Sequence, residues 1–318
     1  LLVEKIELEK FESKKLIDLQ KQLIFKNASA SSHLKQLSEL FSRMDTINNL
    51  VTAIFFNGSF LFNLHVLKAL LKWKEEYADQ LEKWIDVIGE FESLNSLANL
   101  AYNNPDFVFP EINSEYKIGF KNLSHPLLNP VSRIGNDTHF YPESFMILTG
   151  SNMSGKSTFL RSLGVNMVLG GIGSVVCASD AKIHPLPVLV SMRLSDSLAD
   201  SESYFFAEIK RLKQIMDTLE EKPAFVLLDE ILRGTNSDDK RNGTIEVVKK
   251  VIAKKAIGAI ATHDIEVCLT TNEYPETLTN QCFEVEIKDN DLHFDYKLRD
   301  GICQNKSATF LMQKIGVI

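Results

Sequence analysis

The sequence predicts an α/β fold with a mostly parallel sheet, preceded by an all-helical domain. Three observations carry that prediction. A short apolar run, Phe145 to Leu148, ends in a glycine-rich turn and passes into a helical pattern at Leu160, Leu163 and Met167. A second apolar run, Ala224 to Leu228, follows an amphipathic helix and closes on two acids, Asp229 and Glu230. Before Asn104 the apolar residues instead recur at three- and four-residue spacing, as on one face of a helix.

Residues 1 to about 104 read as helix throughout, with the small residues Ala28 to Ser32 marking an early break. Leu34, Leu37, Leu40, Phe41, Met44, Ile47, Leu50, Val51 and Ile54 predict one amphipathic helix, which Asn57-Gly58-Ser59 interrupts. A second helix is expected over 60–77, and a third over 80–101 from Leu81, Trp84, Ile85, Ile88, Phe91, Leu94 and Leu97. Nothing in this part groups like an active site, so its expected role is packing or leverage. Asn103-Asn104-Pro105 ends the helices and Pro110 closes a connector, which places a helical domain at 1–108 and a second domain at 109–318. Tyr116, Ile118 and Phe120 then alternate as in a strand.

The turn after Phe145 to Leu148 has the spacing G-x-x-x-x-G-K-S, written here as Gly150-Ser151-Asn152-Met153-Ser154-Gly155-Lys156-Ser157, with Thr158 after it. That is a phosphate-binding loop in its proper setting between strand and helix. Gly150 and Gly155 permit the tight turn that points successive N–H groups at phosphate oxygens, beside the positive end of the helix. Lys156 would reach the outer phosphates of ATP, and the Ser157 hydroxyl would ligand Mg²⁺. Asp229, at the end of the second strand, would hold Mg²⁺ through its water shell. Glu230 beside it would orient and deprotonate the attacking water, which points to hydrolysis rather than binding alone.

Between and beyond these strands the helical and apolar patterns alternate. Gly170-Gly171-Ile172-Gly173 carries no lysine and follows a helix, so it is expected to be a helix end and turn, with a strand at Val175 to Ala178. Val188 to Met192 predicts a strand, and Phe205, Ile209, Leu212, Ile215 and Leu219 predict an amphipathic helix. A polar loop over 231–238 leads to a helix over 241–255, then to a buried strand, Ala256 to Thr262, that stops at His263. Phe283, Val285 and Ile287 face Leu292, Phe294 and Tyr296 across Asp289-Asn290 as a hairpin.

Composition narrows the class. The chain has 318 residues, 44% hydrophobic and 24% charged, enough for one large or two medium domains with their own cores. The longest apolar stretch, Phe60 to Leu71, is too short to span a bilayer and contains Asn63, His65 and Lys68, so no membrane segment is expected. A net charge of −7 supplies no overall basic field, which leaves nucleic-acid contacts to a local patch or to parts outside this sequence. The chain opens on Leu1-Leu2 without a methionine and is expected to be a piece of a longer protein. Its four cysteines, Cys177, Cys268, Cys282 and Cys303, form no C-x-x-C pair, which fits a reducing cytoplasm and argues against structural zinc.

Three blocks together, Thr149-Gly-Ser-Asn-Met-Ser-Gly-Lys-Ser-Thr158, Leu228-Asp-Glu-Ile-Leu-Arg-Gly-Thr235 and Ala261-Thr-His-Asp264, resemble the ATPase end of the MutS family of DNA mismatch-repair proteins. The likeness is specific over about 115–310 and looser over the helical part. It implies an ABC-type P-loop ATPase that uses ATP and Mg²⁺ and works as a dimer, here a homodimer, through the ATPase domain. DNA would be engaged by the helical domain or by amino-terminal parts outside this sequence.

By the same resemblance His263 is the switch histidine that senses the γ-phosphate; a satisfied structural histidine is its plainer reading. Asp196 to Phe205 resembles the signature segment, in which Ser203 would contact a partner's nucleotide, and Asn236 to Asp238 would cross the dimer interface. Composite sites follow, complete only when two subunits meet. The chain departs from the family at Ser201, where glycine is usual, and at Tyr204, where threonine is usual. Ile134 or Arg133 stands where the family stacks an aromatic on adenine. Tyr296 matches the second stacking position, normally histidine, or else packs as a hairpin residue.

Phe206-Ala207-Glu208 matches the Phe-x-Glu spelling of the family's mismatch probe but lies on the helix after the signature segment, so it is rejected as a probe. Two other readings stand beside the DNA-coupled ATPase. One is a nucleotide-dependent dimerisation or scaffold protein of the same family without mismatch recognition. The other is a transporter-type ATPase subunit, which the missing L-S-G-G-Q disfavours.

Overall fold

The computed structural model describes residues 2–45, 56, 58–192, 204–288 and 291–303. Ile47, Leu50, Val51, Ile54, Asn57, the segment Asp196 to Ser203 and the Asp289-Asn290 turn lie outside them. The chain divides into two compact units, Leu1–Asn99 and Leu100–Ile318.

The first unit contains α1 (Leu2–Leu8), α2 (Lys14–Lys21), α3 (Ala30–Asp45) and most of α4 (Phe62–Asn103). Where two helices are expected over 60–77 and 80–101, one continuous helix forms, because no proline or glycine separates the two apolar patterns. The expectation of helix throughout is also corrected at Ile24–Phe25 (β1) and Ala28–Ser29 (β2), which pair antiparallel. Lys26 and Asn27 between them both take positive φ, as a two-residue hairpin turn requires. The core of this unit is Trp84, Leu23, Ala30 and Val87, with the His33 ring stacked on Trp84 at 5.7 Å.

The second unit is α/β. Its main sheet has the strand order β12-β11-β6-β10-β9-β8, formed by β6 (Phe145–Gly150), β8 (Val188–Ser191), β9 (Phe225–Asp229), β10 (Ile257–Ala261), β11 (Leu278–Lys288) and β12 (Asp291–Asp300). The ladders β8–β9, β9–β10, β10–β6 and β6–β11 are parallel, whereas β11–β12 is antiparallel. A four-stranded sheet of β3 (Glu111–Ile112), β7 (Asp180–Ile183), β4 (Ile118–Leu123) and β5 (Asn136–Phe140) accompanies it. The strand expected at Val175 to Ala178 is an isolated bridge from Val176 to Val108, and the regular strand starts at Asp180.

The strands β6, β9 and β10 are buried along their whole length, so their sequences read as apolar runs without alternation. Successive residues nevertheless serve opposite layers. Met146, Leu148 and Leu227 pack with Phe159, Leu160 and Leu163 of α5 (Lys156–Gly171). Phe145, Ile147 and Leu228 pack with Leu212 and Ile215 of α6 (Tyr204–Glu221) and Val248 and Val251 of α7 (Ser237–Ala253). Each such side chain contributes about 1.5–3 kcal/mol on burial. The result is a rigid sheet whose β6, β9 and β10 end side by side in Gly150, Asp229 and Ala261.

Leu100 and Ala101, in the last turn of α4, pack with Phe107, Val175 and Cys177, which places them with the second unit rather than the first. Among the described residues no helix is long and apolar enough to cross a membrane.

Candidate active site

The loop after β6 turns on backbone that few residues adopt. Gly150 has φ +152°, and a Cβ there would stand 2.6 Å from Ser154 Oγ and 2.8 Å from the Phe283 carbonyl oxygen. Gly155 has φ +103° and precedes α5 without any side-chain cap, so the first N–H groups of the helix have no acceptor from a capping side chain. The Oγ atoms of Ser151 and Ser154 are buried without a partner. Unpaired donors converging on one turn fit an anion, and the phosphates of a nucleotide suit them.

Lys156 is 5% exposed and folds back over this loop, donating to the carbonyl oxygens of Gly150 at 2.8 Å and Ser151 at 2.9 Å. Burial pushes its ammonium below the usual lysine value, and the carboxylates of Glu230 and Asp229 oppose that shift. Asp229 is 4% exposed, and neither carboxylate oxygen has a hydrogen-bond partner. A buried carboxylate with both oxygens free is costly unless a cation or its water shell completes it. With Ser157 in the first turn of α5, this donor set suits Mg²⁺ bound partly through water and phosphate. Among the described residues no group of three or more His, Cys, Asp or Glu could hold a metal ion.

Glu230 follows Asp229 in the left-handed region, φ 48°, and its N–H donates to the Ala261 carbonyl oxygen at 2.9 Å. Its carboxylate is held from two sides, by His263 Nε2 at 2.8 Å on Oε1 and by an Arg233 terminal nitrogen at 2.7 Å on Oε2. Lys156 Nζ also approaches His263 Nε2, at 3.4 Å. The shorter contact to a carboxylate places the proton on Nε2, which then donates to Glu230.

Burial by itself would raise the Glu230 carboxyl, but the hydrogen bond and charge of His263, with Arg233 and Lys156, hold it down at about 2. A depressed carboxyl stabilises the fold above its unfolded value near 4.5, and that stability is lost as pH falls towards about 2. Between those limits the wild-type chain is expected to lose on the order of 3 kcal/mol more than Glu230→Gln. Urea unfolding of both chains across this range checks it, and parallel curves would contradict it.

His263 is fixed by its neighbours. Thr262 N–H donates to the Leu148 carbonyl oxygen at 3.0 Å, Asp264 N–H donates to Thr262 Oγ1 at 3.0 Å, and Asp264 caps the next helix by accepting from Glu266 N–H at 2.9 Å. Gly150, Lys156, Asp229, Glu230 and His263 are therefore brought together at the ends of β6, β9 and β10.

Asn152, Met153, Ser154, Gly155, Ser157, Thr158 and Tyr296 line the adjoining cavity of about 670 Å³, within the range of about 300–1,000 Å³ usual for small-molecule sites. Tyr296 is 44% exposed, and its ring edge lies 3.2 Å from where a Gly155 Cβ would be. Arg133 and Ile134 line the same cavity, the Arg133 guanidinium paired with Asp106 and lying 5.2 Å over the Phe107 ring. Ser203 lies outside the described residues. Asn236 caps α7, its Oδ1 accepting from Asp239 N–H at 2.8 Å.

Arg233 has no role legible in the sequence, although it stands between Leu228 and Thr235, because nothing in the linear order shows that it reaches back to Glu230. Asn136 is equally silent in the sequence: its side chain donates to the Tyr296 carbonyl oxygen and accepts from Leu298 N–H.

A phosphate-binding loop, an acid pair at a neighbouring strand end and a histidine at the next define a P-loop ATPase-type domain. The chain belongs to the MutS family: the family model described as MutS domain V matches residues 146–316, over half of the chain. Among similar proteins, the DNA mismatch repair protein MutS of Methanococcoides burtonii is 35% identical over 59% of this chain and 22% of its own length. Human MutS protein homolog 4 is 30% identical over 73% of this chain and 25% of its own. The DNA mismatch repair protein MutS of Clostridium perfringens is 31% identical over 71% and 26%. The chain thus spans about a quarter of the length of these relatives.

Proposed function

We propose that this chain is the ATP-hydrolysing module of a MutS-like DNA-binding protein, an ABC-type ATPase whose sites are completed in a homodimer and whose nucleotide state is coupled to DNA engagement. The observation that carries the reading is the convergence of Lys156, Asp229, Glu230 and His263 beside an uncapped helix start, with both Asp229 oxygens free. Gly150 to Thr158 bind the phosphates of ATP, with Tyr296 against the base. Ser157 and Asp229 hold Mg²⁺, which supplies charge neutralisation on the phosphates when bound.

Glu230 takes the proton of the attacking water on a carboxylate lone pair that His263 and Arg233 leave free. Nucleotide binding is suited to raise its basicity, because the γ-phosphate competes for Lys156 and His263. Ser203 of a second copy reaches the same nucleotide. DNA contacts fall to the helical unit or to parts outside this sequence, and the free cysteines fit a cytoplasmic setting.

Steady-state ATP hydrolysis measured against protein concentration, with and without mismatched or branched DNA, tests this. The rate is expected to rise faster than linearly with protein and to respond to DNA. Nucleotide-dependent dimers without turnover would favour a scaffold of the same family. Turnover indifferent to DNA would leave the ATPase and remove the coupling.

A further inference from the structure

Beyond the phosphate loop, part of the cavity wall comes from the turn that leads into β5. Asn136, the first residue of that strand, ties the turn to β12. Its Nδ2 donates to the Tyr296 carbonyl oxygen at 3.0 Å, and its Oδ1 accepts from Leu298 N–H at 2.8 Å. Asn136 is thus engaged in holding Tyr296 in place. Arg133, three residues earlier, lines the same cavity as Tyr296, with its side chain only 12% exposed.

A guanidinium has two faces, five N–H donors and no acceptor. One face of Arg133 lies over the Phe107 ring at 5.2 Å, and Nη2 is paired with Asp106. Phe107 is itself 7% exposed and packs with Val175 and Cys177, and with Leu100 and Ala101 at the end of α4. The next residue, Val108, exchanges backbone hydrogen bonds with Val176 at 3.1 and 2.8 Å. Arg133 is therefore mounted on an anchored segment, which limits how its plane can turn. Among the described residues Nη1 is buried and meets no hydrogen-bond partner. A charged donor in that position is costly until an acceptor reaches it.

We infer that Arg133 reads the nucleobase by its edge: Nη1 donates to a ring-nitrogen acceptor of the purine that lies against Tyr296. This rests on the reading of the cavity as a nucleotide site. Where the family stacks an aromatic, this chain places a cation with one face already taken by Phe107, so its distinctive offer is a directed donor. Such a group favours ring nitrogens, which accept, over exocyclic amino groups, which donate. His125 also lines the cavity and supplies the internal control. Leu127 N–H donates to its Nδ1 at 3.2 Å, which places the proton on Nε2 and makes His125 a second donor.

The test is calorimetric titration of the 318-residue chain with Mg²⁺ and each of several ligands: ATP, inorganic tripolyphosphate, and three deaza analogues of ATP that replace N1, N3 or N7 by C–H. The wild type is expected to bind one of the three analogues about tenfold or more weaker than ATP. Arg133→Ala should weaken ATP by about the same factor and bind that analogue within about twofold of ATP. Its affinity for tripolyphosphate should stay within about twofold of wild type. His125→Gln should retain the wild-type penalty for the analogue.

Three analogues that all bind as tightly as ATP, a penalty that persists in Arg133→Ala, or a penalty that disappears in His125→Gln would each overturn the inference. So would a loss of tripolyphosphate affinity in Arg133→Ala as large as its loss of ATP affinity, which would mark a structural role. If Arg133→Ala does not fold, Arg133→Lys keeps a stem and charge for Phe107 and Asp106 but has no second terminal nitrogen, and the penalty should vanish there as well. A wild type that binds tripolyphosphate as tightly as ATP sinks the base reading alone. One that binds neither sinks the nucleotide reading and this inference with it.

Discussion

Lys156→Ala is expected to lower ATP affinity by roughly a hundredfold, about 3 kcal/mol. Two contributions add in the same direction. The lysine would lose its charge-assisted contacts to the outer phosphates, each worth about 1.5–3 kcal/mol. It would also cease to hold the loop, because its Nζ closes on the carbonyl oxygens of Gly150 and Ser151 in the absence of phosphate. The loss of a desolvated ammonium offsets part of this, since burial already disfavours its charge. Titration with a fluorescent ATP analogue measures the effect. Affinity equal to wild type would remove Lys156, and with it the phosphate-loop assignment.

Glu230→Gln is expected to reduce hydrolysis by about 10²–10⁴-fold while leaving ATP bound, because the amide cannot accept the proton of the attacking water. The isosteric side chain still fills the space between His263 and Arg233, so the site keeps its shape. Nucleotide therefore accumulates unhydrolysed, and the nucleotide-bound dimer accumulates with it. Single-turnover hydrolysis and sedimentation in the presence of ATP read the two effects separately. A variant with wild-type turnover would take Glu230 out of the role of base. A variant that loses ATP altogether would assign it to binding instead.

Much of this site is legible in the linear sequence because its chemistry depends on residues adjacent in the chain. The spacing from Gly150 to Ser157 encodes a turn and a helix start without reference to any other element. Asp229 and Glu230 announce themselves as acids closing a run that is otherwise apolar from Ala224 to Leu228. The runs of β6, β9 and β10 are readable for the same reason, since strands covered on both faces carry no polar interruption. Helix continuity through 77–80 was less legible. Two apolar patterns look like two helices, yet no proline or glycine between them stops the backbone, and it runs on as one helix.

Tertiary structure alone decided the contacts across the sheet edge. Chain order does not say that the ends of β6, β9 and β10 are neighbours, so it could not place His263 between Lys156 and Glu230. Nor could it turn Arg233 back onto Glu230, which depends on left-handed backbone at residues that are not glycine. Glu208 is the sharpest case. In sequence it is one acid on an amphipathic helix, and its burial on the stripe that carries Leu212 and Ile215 exists only once α6 packs on the sheet. Local spacing determines which groups can do chemistry, because covalent connectivity fixes their separation. Which groups restrain them is set by elements far apart in sequence, whose meeting is a property of packing.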